Sequence, residues 1–93
     1  MEVKKVTIFE EDRFYLAKGI FRLAQTLEED SFEWKRLMNF RQILITGTQI
    51  VELTTFRLAS LLGALNELER NGVTTRSIRL RKKFWGLYKE ESK

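Results

Sequence analysis

A mainly α-helical fold closed by a small C-terminal β-hairpin is what this sequence predicts, with an all-α bundle as the alternative. Apolar residues recur at helical spacing as far as Asn71, and Gly72 then supplies a helix stop. Beyond that glycine, Ile78 and Leu80 alternate with Arg79 and Arg81, which is the period of a strand with one apolar and one basic face. A chain of 93 residues with 43% hydrophobic content can bury one modest core and is too short for two. Residues 1–93 are therefore expected to form a single domain.

The first element is a short strand within 3–9, where Val3, Val6, Thr7 and Ile8 supply β-branched side chains. Glu10, Glu11 and Asp12 then place negative charge where a helix N-terminus favours it, and a helix is expected over 10–28. Leu16, Ile20, Leu23 and Leu27 lie four, three and four apart, with Phe14, Ala17, Phe21 and Ala24 as a second stripe beside them. An apolar face that wide belongs either to a helix at the centre of the fold or to one that packs on a second copy, so a homodimer through this helix and a monomer with a central helix both stand.

Asp30 or Ser31 caps the next helix, with Glu33 placed as in a capping box. It should run from residue 31 to about 44, with Trp34, Leu37, Met38 and Phe40 inward and Lys35, Arg36 and Arg41 outward. The stretch TGTQIVELTTFRLASLLGALNELERNGV follows. Read as one helix it would span 48–71. The run Thr54, Thr55, Phe56 is poor helix interior, however, and either threonine suits an N-cap. Two helices result, one over 48–53 and one over 57–71, the second burying Leu61, Leu65 and Leu68.

In that reading the stretch resembles the helix-turn-helix of winged-helix proteins, with Phe56 closing the turn and the segment Ala64 to Val73 leading through Gly72 into a wing. The resemblance covers 31–90. It implies two antiparallel wing strands over 74–80 and 84–88, a basic tip at Arg81, Lys82 and Lys83, and Phe84, Trp85 and Tyr88 as anchors. It further implies a small DNA-binding protein, a transcriptional regulator. Its second helix would enter the major groove of double-stranded DNA through Arg57, Ser60 and Asn66, while Arg76, Arg79, Arg81, Lys82 and Lys83 grip phosphates. Leu58 and Leu62 fall near that reading face and make it unusually apolar. The alternative treats the region after Gly72 as a fourth helix with Leu80, Phe84, Leu87 and Tyr88 as core and the basic residues as a solvated face.

The charge distribution agrees with a local anionic partner. Residues 1–69 hold nine Lys/Arg against eleven Asp/Glu, whereas residues 70–93 hold eight against two. The competing function is a protein-interaction adaptor that uses the apolar surface around Leu58 and Leu62, with its basic segment on an acidic partner. RNA is a third option, for which the sequence lacks an aromatic pair in the spacing of single-strand platforms. Trp85 is expected to pack inward rather than to stack on a base.

With no cysteine and no histidine, disulfides, thiol nucleophiles, Cys/His metal sites and the commonest general base are excluded. A non-enzymatic protein with no cofactor, no metal and no small-molecule ligand is expected. The longest uncharged run, QILITGTQIV, falls short of the roughly 18–20 residues that span a bilayer. The N-terminus shows no signal-peptide pattern, and a cytoplasmic location is expected.

Overall fold

Within residues 3–91, which the computed structural model describes, the order is β1 (Lys4–Thr7), α1 (Glu10–Ala24), α2 (Phe32–Thr46), β2 (Ile50–Leu53), α3 (Thr55–Leu68), a 3-10 turn (Glu69–Asn71) and α4 (Thr75–Glu91). Met1, Glu2, Ser92 and Lys93, the ends of the expected 1–93 domain, lie outside the described residues. The result is a four-helix domain with a two-stranded antiparallel sheet, consistent with a helix-turn-helix-like architecture, although the helix-turn-helix expected over 48–71 does not form because its first helix is a strand.

The sheet is not where the sequence put it. β1 falls within the expected 3–9 strand, but its partner is β2, in the register Lys4 with Leu53, Lys5 with Glu52, Val6 with Val51 and Thr7 with Ile50. The Ile8 amide donates to the Gln49 carbonyl at 2.7 Å beyond the last pair. β2 replaces the short helix expected over 48–53. Burial alternates along it, with Val51 and Leu53 inward and Ile50 and Glu52 outward, as period-two geometry requires. Ile50 and Val51 favour strand, but a strand needs a partner, and here α1 and α2 intervene between the two.

α1 occupies the centre, packed against both α2 and α3. That accounts for its wide apolar face: Leu16, Ala17, Ile20 and Ala24 are buried, while Leu23 and Leu27 are half-buried. Phe14 and Phe21, from the second stripe, remain 48% and 41% exposed. The helix ends at Ala24, earlier than the 10–28 expected. Close approach to α3 depends on Gly19, since a β-carbon there would sit 2.7 Å from the Ala64 carbonyl oxygen and 2.8 Å from Leu68 Cδ1. Arg13, buried on the opposite flank, donates through Nη1 to the carbonyls of Leu44 and Gly47, both at 2.9 Å. These carbonyls belong to the C-terminal end of α2, where cationic charge is favourable.

Both predicted caps form. The Ser31 hydroxyl accepts from the Trp34 amide at 3.2 Å, with Asp30 in the left-handed region at φ 67°, and Thr54 accepts from the Arg57 amide at 3.2 Å. α3 buries Leu58, Leu61, Leu65 and Leu68, so Leu58 is core rather than surface and Leu62 is half-buried. Gly72 follows at φ 121°, a conformation that glycine adopts at little cost.

The C-terminal hairpin is absent: the residues expected to form two strands and a tip are one helix, α4, the element of the all-α alternative. Two physical reasons favour helix. The supposed tip, Arg81, Lys82 and Lys83, lacks the Gly, Asn or Asp that a tight hairpin turn demands. Helical spacing brings Ser77, Leu80 and Phe84 together onto one face, each 1% exposed or less, with Leu87 and Tyr88 beside them. A reciprocal cap starts the helix. The Ser77 amide donates to Thr74 Oγ1 at 3.1 Å, and the Thr74 amide donates to Ser77 Oγ at 3.0 Å.

Candidate nucleic-acid interface

α4 packs chiefly on α3 and leaves its other flank to solvent. One solvent-facing stripe holds Ile78, Lys82, Trp85 and Lys89 at successive steps of four, three and four residues, and Arg79 and Lys83 adjoin it. Of this stripe, Ile78 is 50% and Trp85 47% exposed. Trp85, expected to pack inward, instead stacks on Tyr88 with ring centroids 5.7 Å apart and planes 15° from parallel. Lys89 Nζ lies 5.4 Å from the Trp85 centroid, a cation–π contact. An aromatic pair spaced i, i+3 on a helix, with Trp85 exposed and Tyr88 half-buried, is visible only once the segment is known to be helical.

The predicted phosphate-binding residues divide into two groups. Arg79 Nη2 contacts both oxygens of Asp12, at 2.9 and 3.1 Å, and the Arg76 Nε lies 3.5 Å from the same carboxylate. Arg76 also reaches Glu11 at 3.5 Å and lies over the Tyr15 ring at 5.4 Å. Arg81 binds Glu69 and donates to Asn66 Oδ1 at 2.7 Å. These three arginines hold α4 to α1 and to the end of α3 through carboxylates, and a phosphate would have to compete for them. Asp12 is almost buried, whereas the Arg79 side chain is 54% exposed, so the guanidinium keeps one side toward solvent. Lys82 is exposed and makes no ion pair with a described residue, and Lys83 Nζ donates to the Thr7 carbonyl at 2.6 Å, which leaves its charge uncompensated.

The three residues predicted to enter the groove do not share one open face. Arg57 sits in the first turn of α3, donates through Nη1 to the Glu52 carbonyl at 2.7 Å and lies 5.2 Å from the Phe40 centroid. Ser60, expected to be exposed, is buried and donates to the Phe56 carbonyl at 2.7 Å. Asn66 is exposed and bound to Arg81. The structure therefore brings Asn66, Arg81 and Glu69 together near the C-terminal end of α3 and sets Arg57 apart at its start.

Two features went unread in the sequence. An apolar groove of about 330 Å³ runs between α1, α2 and α3, lined by Leu23, Leu27, Leu37, Phe56 and Ala59. It replaces the adaptor surface expected around Leu58. The second feature is a cleft of about 290 Å³ between α2 and the start of α3, in which Arg57 meets Arg36 and Asn39. No local pattern joins these residues, because the α2–β2–α3 connection alone brings them together.

Among the described residues, no group of three or more His, Cys, Asp or Glu could hold a metal ion, and no helix is long and apolar enough to cross a membrane. No protein-family model, curated protein or solved structure matches the chain.

Proposed function

We propose that this protein is a small, non-enzymatic, cytoplasmic DNA-binding regulator whose contact surface is the outer face of α4, the second helix of the α3–turn–α4 unit. One observation carries the reading: Arg79, Lys82, Lys83 and Lys89 share the solvent side of a 17-residue helix with the exposed Trp85 and Ile78. A helix so placed can lie along a groove of duplex DNA, its cations on phosphates and its apolar side chains against base edges or sugars. The lysines contribute first, since no described carboxylate holds Lys82, while Arg76 and Arg79 add affinity only by exchanging Asp12 and Glu11 for phosphate. A homodimer through the exposed Phe14 and Phe21 of α1 would place two such helices on paired half-sites.

The test is a mobility shift on random-sequence duplex DNA across a salt series, with the Lys82→Ala/Lys83→Ala/Lys89→Ala variant alongside. Each phosphate contact contributes about 0.9 to the slope of log affinity against log salt, so the variant should lose about 2–3 units of slope. Equal slopes for the two proteins would overturn the assignment of α4. A protein-adaptor reading draws on the apolar groove lined by Leu23, Leu27, Leu37 and Phe56. Absence of any DNA binding at low salt would favour it.

A further inference from the structure

We infer that the cleft between α2 and the start of α3 is an anion site that takes a phosphate group through Arg36 and Arg57, independently of the α4 surface. The argument begins with how the arginines of this chain are satisfied. Arg70, Arg76, Arg79 and Arg81 each have a carboxylate within ion-pair distance, and Arg13 is spent on two carbonyls at the end of α2. Arg22, Arg36, Arg41 and Arg57 have no carboxylate within ion-pair distance among the described residues, and of these Arg36 and Arg57 line one cleft of about 290 Å³.

Each guanidinium is held in place without using up its charge. Arg36 lies 3.7 Å from the Phe56 centroid and 5.5 Å from that of Phe32, and it makes no hydrogen bond to a described residue. A guanidinium resting on rings keeps its in-plane N–H donors for an acceptor. Arg57 lies 5.2 Å from the Phe40 centroid and donates one bond, from Nη1 to the Glu52 carbonyl at 2.7 Å. Two planar forks with most of their donors unspent match the several oxygens of a phosphoryl group better than the two of a carboxylate. Asn39, which also lines the cleft, adds an amide donor. The Thr54 hydroxyl, which also lines the cleft, accepts from the Arg57 amide and so keeps its own O–H as a further donor.

One acid borders the cleft. The Glu52 side chain points outward from β2, and its cross-strand neighbour is Lys5, a residue of opposite charge. The volume lies at the lower limit for small-molecule pockets, which suits a single phosphate, either free or at the end of a small monoester or nucleic-acid strand.

Inorganic phosphate is titrated at constant ionic strength, with the Arg36 and Arg57 side-chain Nε–H signals and the Phe56 amide followed by NMR. Saturable shifts at these signals are expected, and Arg36→Gln or Arg57→Gln should weaken the affinity at least about tenfold. Arg36→Lys keeps the charge but loses the planar fork, so an intermediate affinity is expected and guards against a variant that merely unfolds. Shifts confined to Lys82, Lys83 and Lys89, or no saturable shift at all, would overturn the site. Two short oligonucleotides, with and without a 5′-phosphate, then separate the sources. Equal shifts at Arg36 and Arg57 would identify a backbone phosphate, and shifts from the phosphorylated strand alone a terminal one.

Discussion

Gly86→Ala is the substitution that most directly weighs helix against hairpin in the C-terminal segment. Gly86 lies inside α4, five residues before its end, on an exposed flank. A β-carbon built there meets no heavy atom within 4 Å, and the residue has no positive φ that alanine would resist. No packing term opposes the change, and what remains is helix propensity. Alanine is better than glycine in a helix interior by about 0.8–1.0 kcal/mol. For a domain of this size about 1 kcal/mol raises Tm by roughly 4–8 °C. Thermal unfolding by circular dichroism, checked by urea denaturation, should show that gain with an unchanged m-value. In a β-hairpin the same position would lie in a strand, where a β-branched residue is favoured over alanine, so Gly86→Val should raise Tm more than Gly86→Ala in a hairpin and less in a helix. A Tm unchanged or lowered by Gly86→Ala would refute the helical assignment of this part of the chain.

The opposite result is expected at Gly19, although it too is helical. There the propensity gain of about 1 kcal/mol meets the Ala64 carbonyl at 2.7 Å, which is backbone and cannot swing aside, so overpacking of about 1–3 kcal/mol should leave Gly19→Ala neutral to destabilised in urea denaturation. Asp12→Asn removes the carboxylate shared by Arg76 and Arg79. Because the Arg79 side chain is more than half exposed and can be hydrated, the loss should be only about 1–2 kcal/mol, at the low end for hydrogen bonds to charged groups. The same variant frees two arginines on the α4 face, so its DNA mobility shift should tighten and its salt dependence steepen, whereas unaltered salt dependence would place those arginines outside the contact.

The features that were legible share a short reach along the chain. Ser31 and Thr54 cap by accepting from amides three residues on, and such a bond depends only on the local sequence. Leu61, Leu65 and Leu68 repeat with the helical period and are all buried. Residues 78–81 satisfy two periods at once, since Ile78 and Leu80 alternate with arginines while Leu80 also starts a helical series with Phe84 and Leu87. Only four residues support the strand, and a helix of 17 outlasts them. The 48–53 segment failed differently, because its choice of strand depends on β1, which the chain reaches only after α1 and α2 have folded back.

The candidate sites were less legible than the fold. The concentration of basic charge after residue 69 is plain in the sequence, but its neutralisation is not, because Asp12 stands 67 residues from Arg79. Arg36 is one of several outward residues of a helix in the sequence, and that it shares a cleft with Arg57, neither paired with a described carboxylate, emerges only from the tertiary structure.

By itself, then, the sequence determined the caps at Ser31 and Thr54 and the inward turn of Leu61, Leu65 and Leu68, since these follow from capping and periodicity over a few residues. Only the tertiary structure decided that β2 is a strand, that Arg76, Arg79 and Arg81 are held by acids, and that Arg36 and Arg57 share a cleft. Each of these depends on a partner distant in the chain, and Coulomb attraction and strand pairing act between neighbours in space, whatever their separation in sequence.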